Sequence, residues 1–149
     1  MKRILAIAAC ALSTACLADP HSMTSPDQLS WADVPSMPAG ARIAVIQGPM
    51  SAPAPFTIRL KFPANYRIPA HWHPAVEHVT VLSGTFYMGT GDVLEAGQAM
   101  ALVPGSVAIM QPGTRHYALT RGEEVTVQVH GVGPWGLTYV NPADDPRKK

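Results

Sequence analysis

Charge is scarce in this 149-residue chain: Asp, Glu, Lys and Arg make up 14% of it, and the formal net charge is +1. A usual soluble chain carries about 25% charged residues, so disorder driven by charge repulsion is excluded. The near-neutral balance leaves no basic footprint for nucleic acid. There are only two cysteines, Cys10 and Cys16, both near the amino terminus. No apolar run reaches the roughly 20 residues that a bilayer-spanning helix needs. Nor is there an internal repeat or a second domain. What is abundant is punctuation: 15 prolines and 12 glycines, about 18% of the chain against a usual ~12%. That excess disfavours helical bundles and favours short strands joined by turns. A single, largely β domain is expected, long enough to bury about two-thirds of its unfolded surface.

Lys2 and Arg3 precede an apolar run from Ile4 to Leu17 that ends in small residues. This is the order of a secretory signal, and residues 1–18 are read as one, with cleavage after Ala18. Acylation at Cys16 is the alternative; Ser13, where an aliphatic residue would stand, disfavours it. Cleavage removes both cysteines, so neither a disulfide nor a thiolate ligand remains. It also removes Lys2 and Arg3, leaving nine basic residues against ten acidic. Any metal must then be held by nitrogen and oxygen. A periplasmic or secreted protein without stable membrane insertion is expected.

Residues 19–41, rich in Pro, Ser, Asp and Ala, read as an extended arm anchored by Trp31, with a helical turn near Ser30–Asp33. Residues 42–140 read as the β domain, and 141–149 as a polar tail. Within the domain, Phe56–Phe62 alternates strictly, with Phe56, Ile58, Leu60 and Phe62 on one face and Thr57, Arg59 and Lys61 on the other. Further short strands are expected at 42–48, 76–82, 85–88, 99–103, 107–110, 116–120 and 125–129, separated by glycine-bearing turns. That spacing indicates a sandwich or barrel.

Three of the six histidines lie within eight positions: His71, His73 and His78. In an extended segment residues two apart project to the same side, so His71 and His73 point together. Glu77 follows four residues after His73, and His116 begins a later strand. Three imidazoles and one carboxylate suit a divalent first-row metal. A His-x-His pair alone is a weak signal, since most histidines are surface or satisfied core residues.

The whole arrangement carries more. His71-x-His73-x-x-x-Glu77, six residues, then Gly84 resembles the first motif of the cupin superfamily. Gly105, seven residues, Gly113, two residues, His116 resembles the second, and 20 residues separate the two. The resemblance covers residues 60–131. It implies an all-β fold, a double-stranded β-helix or jelly-roll barrel with an extended N-terminal arm. It also implies one divalent transition metal (Fe, Mn, Ni, Cu or Zn) held by His71, His73, Glu77 and His116. Three positions depart from the family pattern. Asn65 stands where Gly usually opens the first motif, and it too tolerates a left-handed conformation. Gln111 stands where Pro is usual, with Pro112 displaced by one, and Thr120 replaces a terminal Asn. None of the three is a ligand position.

His78 neighbours Glu77 on one strand, so with Glu77 inward it should point outward or between the sheets and not ligate. His130 lies on the Thr126 and Gln128 face, without an assigned role. Met88, Met100 and Met110 can line the pocket or be plain core; Arg59, Tyr66, Trp72 and Arg115 lie near the motifs and could orient a substrate. Coordination positions left open make a metal catalytic, and three classes of function stay open. One is an oxygenase or oxidase acting on a small oxygen-chelating substrate. Another is a redox-neutral decarboxylase, lyase or isomerase, and the third a non-catalytic module binding metal and ligand. A small molecule is the expected partner, and the resemblance implies a homodimer.

Overall fold

In a computed structural model of the chain, residues 21–149 are described. The expected signal segment, its expected cleavage point and Cys16 lie outside them. The described chain is built from eleven strands: β1 (Ala32–Asp33), β2 (Arg42–Gln47), β3 (Pro55–Phe62), β4 (Arg67–Trp72), β5 (Glu77–Ser83), β6 (Phe86–Thr90), β7 (Met100–Leu102), β8 (Val107–Met110), β9 (His116–Leu119), β10 (Val125–Val132) and β11 (Thr138–Tyr139). They form two antiparallel sheets, a six-stranded one in the order β1-β2-β3-β10-β5-β8 and a five-stranded one in the order β11-β4-β9-β6-β7. This is the sandwich that the turn spacing indicates and the jelly roll that the cupin resemblance implies. No helix among the described residues is long and apolar enough to cross a membrane.

The alternation on β3 sorts its side chains as the pattern requires: Phe56, Ile58, Leu60 and Phe62 are buried, while Thr57, Arg59 and Lys61 are only half-buried. Val125, Val127 and Val129 of β10 and Val79 and Val81 of β5 join them inside. Phe62 stacks on Phe86 with ring centroids 5.4 Å apart, and Tyr66 covers its other edge at 5.4 Å. Burying an aliphatic or aromatic side chain of this kind contributes about 1.5–3 kcal/mol.

Several expected elements are placed differently. The helical turn of the arm lies at Pro26–Gln28, not near Ser30–Asp33. Ala32 and Asp33 instead pair with Ile43 and Arg42 as a short strand, because the Arg42 side chain holds the Trp31 carbonyl at 2.9 Å and Asp33 at 3.3 Å. The Lys61 ammonium sits 4.7 Å over the Trp31 ring, completing the anchor. Beyond it the arm turns inward, and Met37 is buried in the core. The hydroxyls of Tyr66 and Tyr139 donate to the carbonyls of Pro38 and Ser36, the latter at 3.0 Å.

The polar tail is likewise tied down. It forms two 3-10 turns, Pro142–Asp144 and Pro146–Lys148, capped by Asn141 and Asp145. Arg147 binds both the Asp145 carboxylate and the Leu137 carbonyl. Asn65 has φ of 58°, the left-handed conformation that a Gly at this position would adopt. Thr120, in the place of the family's Asn, accepts from the Tyr66 amide at 2.8 Å and donates to the Pro63 carbonyl at 2.6 Å. It thereby staples the chain entering β4 to the end of β9.

Candidate metal centre

The four residues that the two motifs single out come together inside the barrel. His71 is the penultimate residue of β4, His73 follows the strand, Glu77 opens β5 and His116 opens β9. β4 and β9 are paired, with His71 directly opposite His116. His71 is 4% exposed, His73 2%, Glu77 5% and His116 1%. One ring nitrogen from each histidine lies within 4.8 Å of the others. The Glu77 carboxylate oxygens stand 3.4 Å from His73 Nε2 and 3.5 Å from His116 Nε2.

The orientation of each ring is fixed from behind. His71 Nδ1 meets the Pro69 carbonyl at 2.7 Å, His73 Nδ1 the Gly136 carbonyl at 2.7 Å, and His116 Nδ1 the Thr114 carbonyl at 2.9 Å. A carbonyl only accepts, so Nδ1 carries the proton in all three and Nε2 presents its lone pair to the centre. Such backing hydrogen bonds set the tautomer of metal-ligating histidines and raise their basicity as donors. Burial, then the neighbouring His116 and His73 rings, push the His71 pKa well below the usual 6.5. Burial also lowers that of His73, although Glu77 opposes it. Both rings are therefore neutral at pH 7, the form that binds a metal. His73 Nε2 is buried with no hydrogen-bond partner. A buried polar atom without a partner is costly unless something fills the gap; an ion at the centre of the cluster would fill it. The residues fit a divalent first-row metal.

The cavity beneath the cluster is small and largely apolar. Its free volume is about 20 Å³, room for one water. Apart from the cluster itself its walls are apolar, among them Phe62, Ile68, Phe86, Met88 and Val129. A second cavity of about 360 Å³ lies on the other side of Met37 and Leu60, which wall both. Trp135 borders that outer cavity and stacks on the His73 ring, with centroids 4.6 Å apart and planes at 17°.

Residues adjacent in sequence to the motifs are mostly elsewhere. Arg59 is on the outer face against Gln128, and Arg115 is exposed in an ion pair with Asp92. Trp72 alternates away from the cluster, and the Tyr66 hydroxyl is engaged by Pro38. Of the three methionines only Met88 lines the inner cavity, while Met100 is 70% exposed. His78 points outward, as its position next to Glu77 requires, and its ring meets that of His130. Met37, Trp135 and the Gly136 carbonyl were not singled out by sequence. The one local signal was a lone Trp inside the Gly133–Gly136 turn.

A family model described as "ChrR Cupin-like domain" matches residues 20–135. No curated protein sequence matches the chain. Among solved structures, the polyketide cyclase RemF from Streptomyces resistomycificus aligns with a TM-score of 0.69 at 16% identity, over 86% of this chain and 91% of its own. A putative acetylacetone dioxygenase from Methylibium petroleiphilum aligns at 0.62 and 19%, over 85% of each chain. The anti-sigma ChrR of Rhodobacter sphaeroides, in complex with SigE, is represented by a chain that aligns at 0.54 and 18%, over 72% of this chain and 50% of its own. At these identities the likeness is one of fold, and the named activities differ among the three.

Proposed function

The chain belongs to the ChrR cupin-like domain family, and from that premise we propose that it is an exported cupin metalloprotein of oxygenase or oxidase type. Its ion would be one divalent first-row metal held by His71, His73, Glu77 and His116, and its substrate a small organic molecule with adjacent oxygen donors. The supporting observation is the apolar lining of the cavity beside the cluster. Among the described residues, its lining holds no acid, base or hydroxyl apart from the four donors. Decarboxylation, lysis or isomerisation needs a positioned group to move a proton, and only Glu77 is available. Tyr139, whose ring lies 6.3 Å from that of His71, donates its hydroxyl to Ser36, and burial pushes its pKa up to about 12. Chemistry that leans on the metal and on an apolar co-substrate needs less from the protein.

When bound, the ion supplies Lewis acidity and, if redox-active, electron transfer to dioxygen. The chain's own part is to present three Nε2 lone pairs and one carboxylate in fixed directions and to exclude water. Glu77 is also the one group that can take a proton from a chelating substrate. An organic substrate does not fit in 20 Å³; the larger space that Met37 and Leu60 also wall is the outer cavity, and displacement of Met37 would open one to the other.

That tightness favours a second reading, a module that holds metal and ligand without turnover. Oxygen uptake by Fe, Mn, Ni, Cu and Zn forms, across diketones, flavonols and catechols, separates the two. Uptake that disappears in His116→Ala supports the oxygenase reading. No uptake with any form, together with stoichiometric ligand binding, overturns it in favour of the module. Export and a homodimer belong to the same proposal: fractionation of the native host, and sedimentation of the purified protein, test them.

A further inference from the structure

A different cluster of metal-ligating side chains lies on the outer face of the six-stranded sheet. β10 runs between β3 and β5, and the registers align Thr57, His130 and His78 abreast on three neighbouring strands. The two imidazoles stack with centroids 4.8 Å apart and planes at 26°. His78 Nδ1 is buried and has no hydrogen-bond partner. Only three buried side-chain atoms among the described residues share that condition, and another of them is His73 Nε2 in the barrel cluster. The same signature, a shielded imidazole nitrogen with nothing opposite it, thus occurs on both faces of the sheet.

The surroundings define what could satisfy it. Thr57, His78 and His130 border an open cavity of about 340 Å³ whose other walls, including Val76 and Val132, are apolar. No carboxylate and no Lys or Arg side chain lines it. An anion would find no positive charge there, and a hard cation such as Mg²⁺ no oxygen cage. Two imidazole nitrogen donors suit a borderline first-row ion, with Cu²⁺ at the top of the affinity order.

The geometry points to a second metal site on this outer face, in which His78 Nδ1 and a ring nitrogen of His130 chelate one Cu²⁺-like divalent ion, with water and the Thr57 hydroxyl available to complete its shell. His130 is exposed and no side-chain hydrogen bond among the described residues ties its ring, so it is free to turn from the stacked position to face the same ion as His78. The site is independent of the barrel cluster, because Glu77 and His78 leave β5 on opposite faces. Its failure or success leaves the proposed function untouched.

The test is a count. The full chain, without a histidine tag, is stripped with chelator and dialysed against Cu²⁺, and bound copper per protein is measured for wild type, His78→Ala and His130→Ala. Each variant is expected to bind one equivalent less than wild type, and His116→Ala to retain the outer equivalent. His130 is exposed, so its removal leaves the fold intact and the count interpretable even if His116→Ala does not fold. Copper uptake equal to wild type in either outer variant overturns the site. A loss confined to one variant also overturns it, since a chelate needs both rings. Mg²⁺ competing as effectively as Zn²⁺ for the same equivalent would refute the donor argument.

Discussion

Truncating Met37 to alanine tests how the barrel site is closed. Met37 is 6% exposed, and with Leu60 it separates the 20 Å³ space under the histidines from the 360 Å³ cavity outside. Met→Ala at a buried site costs about 2–5 kcal/mol. The lower end applies here, because the gap opens into an existing cavity and leaves no sealed void. About 2 kcal/mol in a domain of this size lowers Tm by about 6–10 °C. If undocking of the arm is the step that admits solutes, the same 2 kcal/mol comes off the opening free energy, and a competing chelator extracts the ion about 30-fold faster. The assay pairs a thermal melt followed by circular dichroism with stopped-flow chelator extraction of the metal-loaded protein. Metal stoichiometry at equilibrium should not change. A lowered Tm with an unchanged extraction rate would refute the gating argument and make Met37 simply a core residue.

Tyr139→Phe removes the hydroxyl that donates to Ser36 at a cost of about 1 kcal/mol; chelator extraction should quicken about fivefold, and no change would place the arm's hold elsewhere. Gly89→Ala should lower Tm by several degrees, since its Cβ would lie 2.7 Å from Tyr117 Cε2 and closer still to Cζ and the hydroxyl, an overpacking of about 1–3 kcal/mol. Tyr117 follows His116 and pairs with Gly89, so weaker metal binding is expected alongside. The pH profile has a defined sign. His71 and His73 have folded pKa values below the usual 6.5, so the unfolded chain takes up protons first as pH falls. The metal-free protein should therefore keep its stability above pH 6.5 and lose it progressively below, and a melt series from pH 8 to 5 that stays flat would contradict the assignment. Metal should be released over the same acid range, because protonated imidazole does not ligate.

Much of this architecture was legible in sequence, and the reasons are local. Strict alternation at Phe56–Phe62 has only one amphipathic reading. His71 and His73 lie together because side chains two apart on extended chain must share a face. β4, which carries His71, also contains Pro69, a residue disfavoured inside a sheet. The ladder between β4 and β9 is irregular between Ile68 and His71, which is where a proline is tolerated in a sheet. Its carbonyl then backs the His71 ring. β1 and β11, of two residues each, are too short for any periodicity to register. The roles of Met37 and Trp135 depend on where the arm and the Gly133–Gly136 turn dock on the barrel. Contacts of that kind are set by tertiary packing between distant segments, and no pattern along the chain encodes them. His78 and His130 were placed outward by alternation alone, but their pairing needed the register of β5 against β10.

The most direct test of the central claim is elemental analysis of the protein purified without chelator or histidine tag, beside His116→Ala. His116 is 1% exposed, its Nδ1 is held by Thr114, and its Nε2 stands 3.5 Å from Glu77. Removing it takes away a donor outright, so metal affinity should fall by more than the ~10–100-fold typical of changes behind the ligands. The expected result is about one equivalent of a first-row metal at the barrel site of the wild type, lost in His116→Ala and retained there in His78→Ala. A barrel ion that survives His116→Ala but disappears with His78→Ala, or a wild type that takes up no metal even after reconstitution, would contradict it.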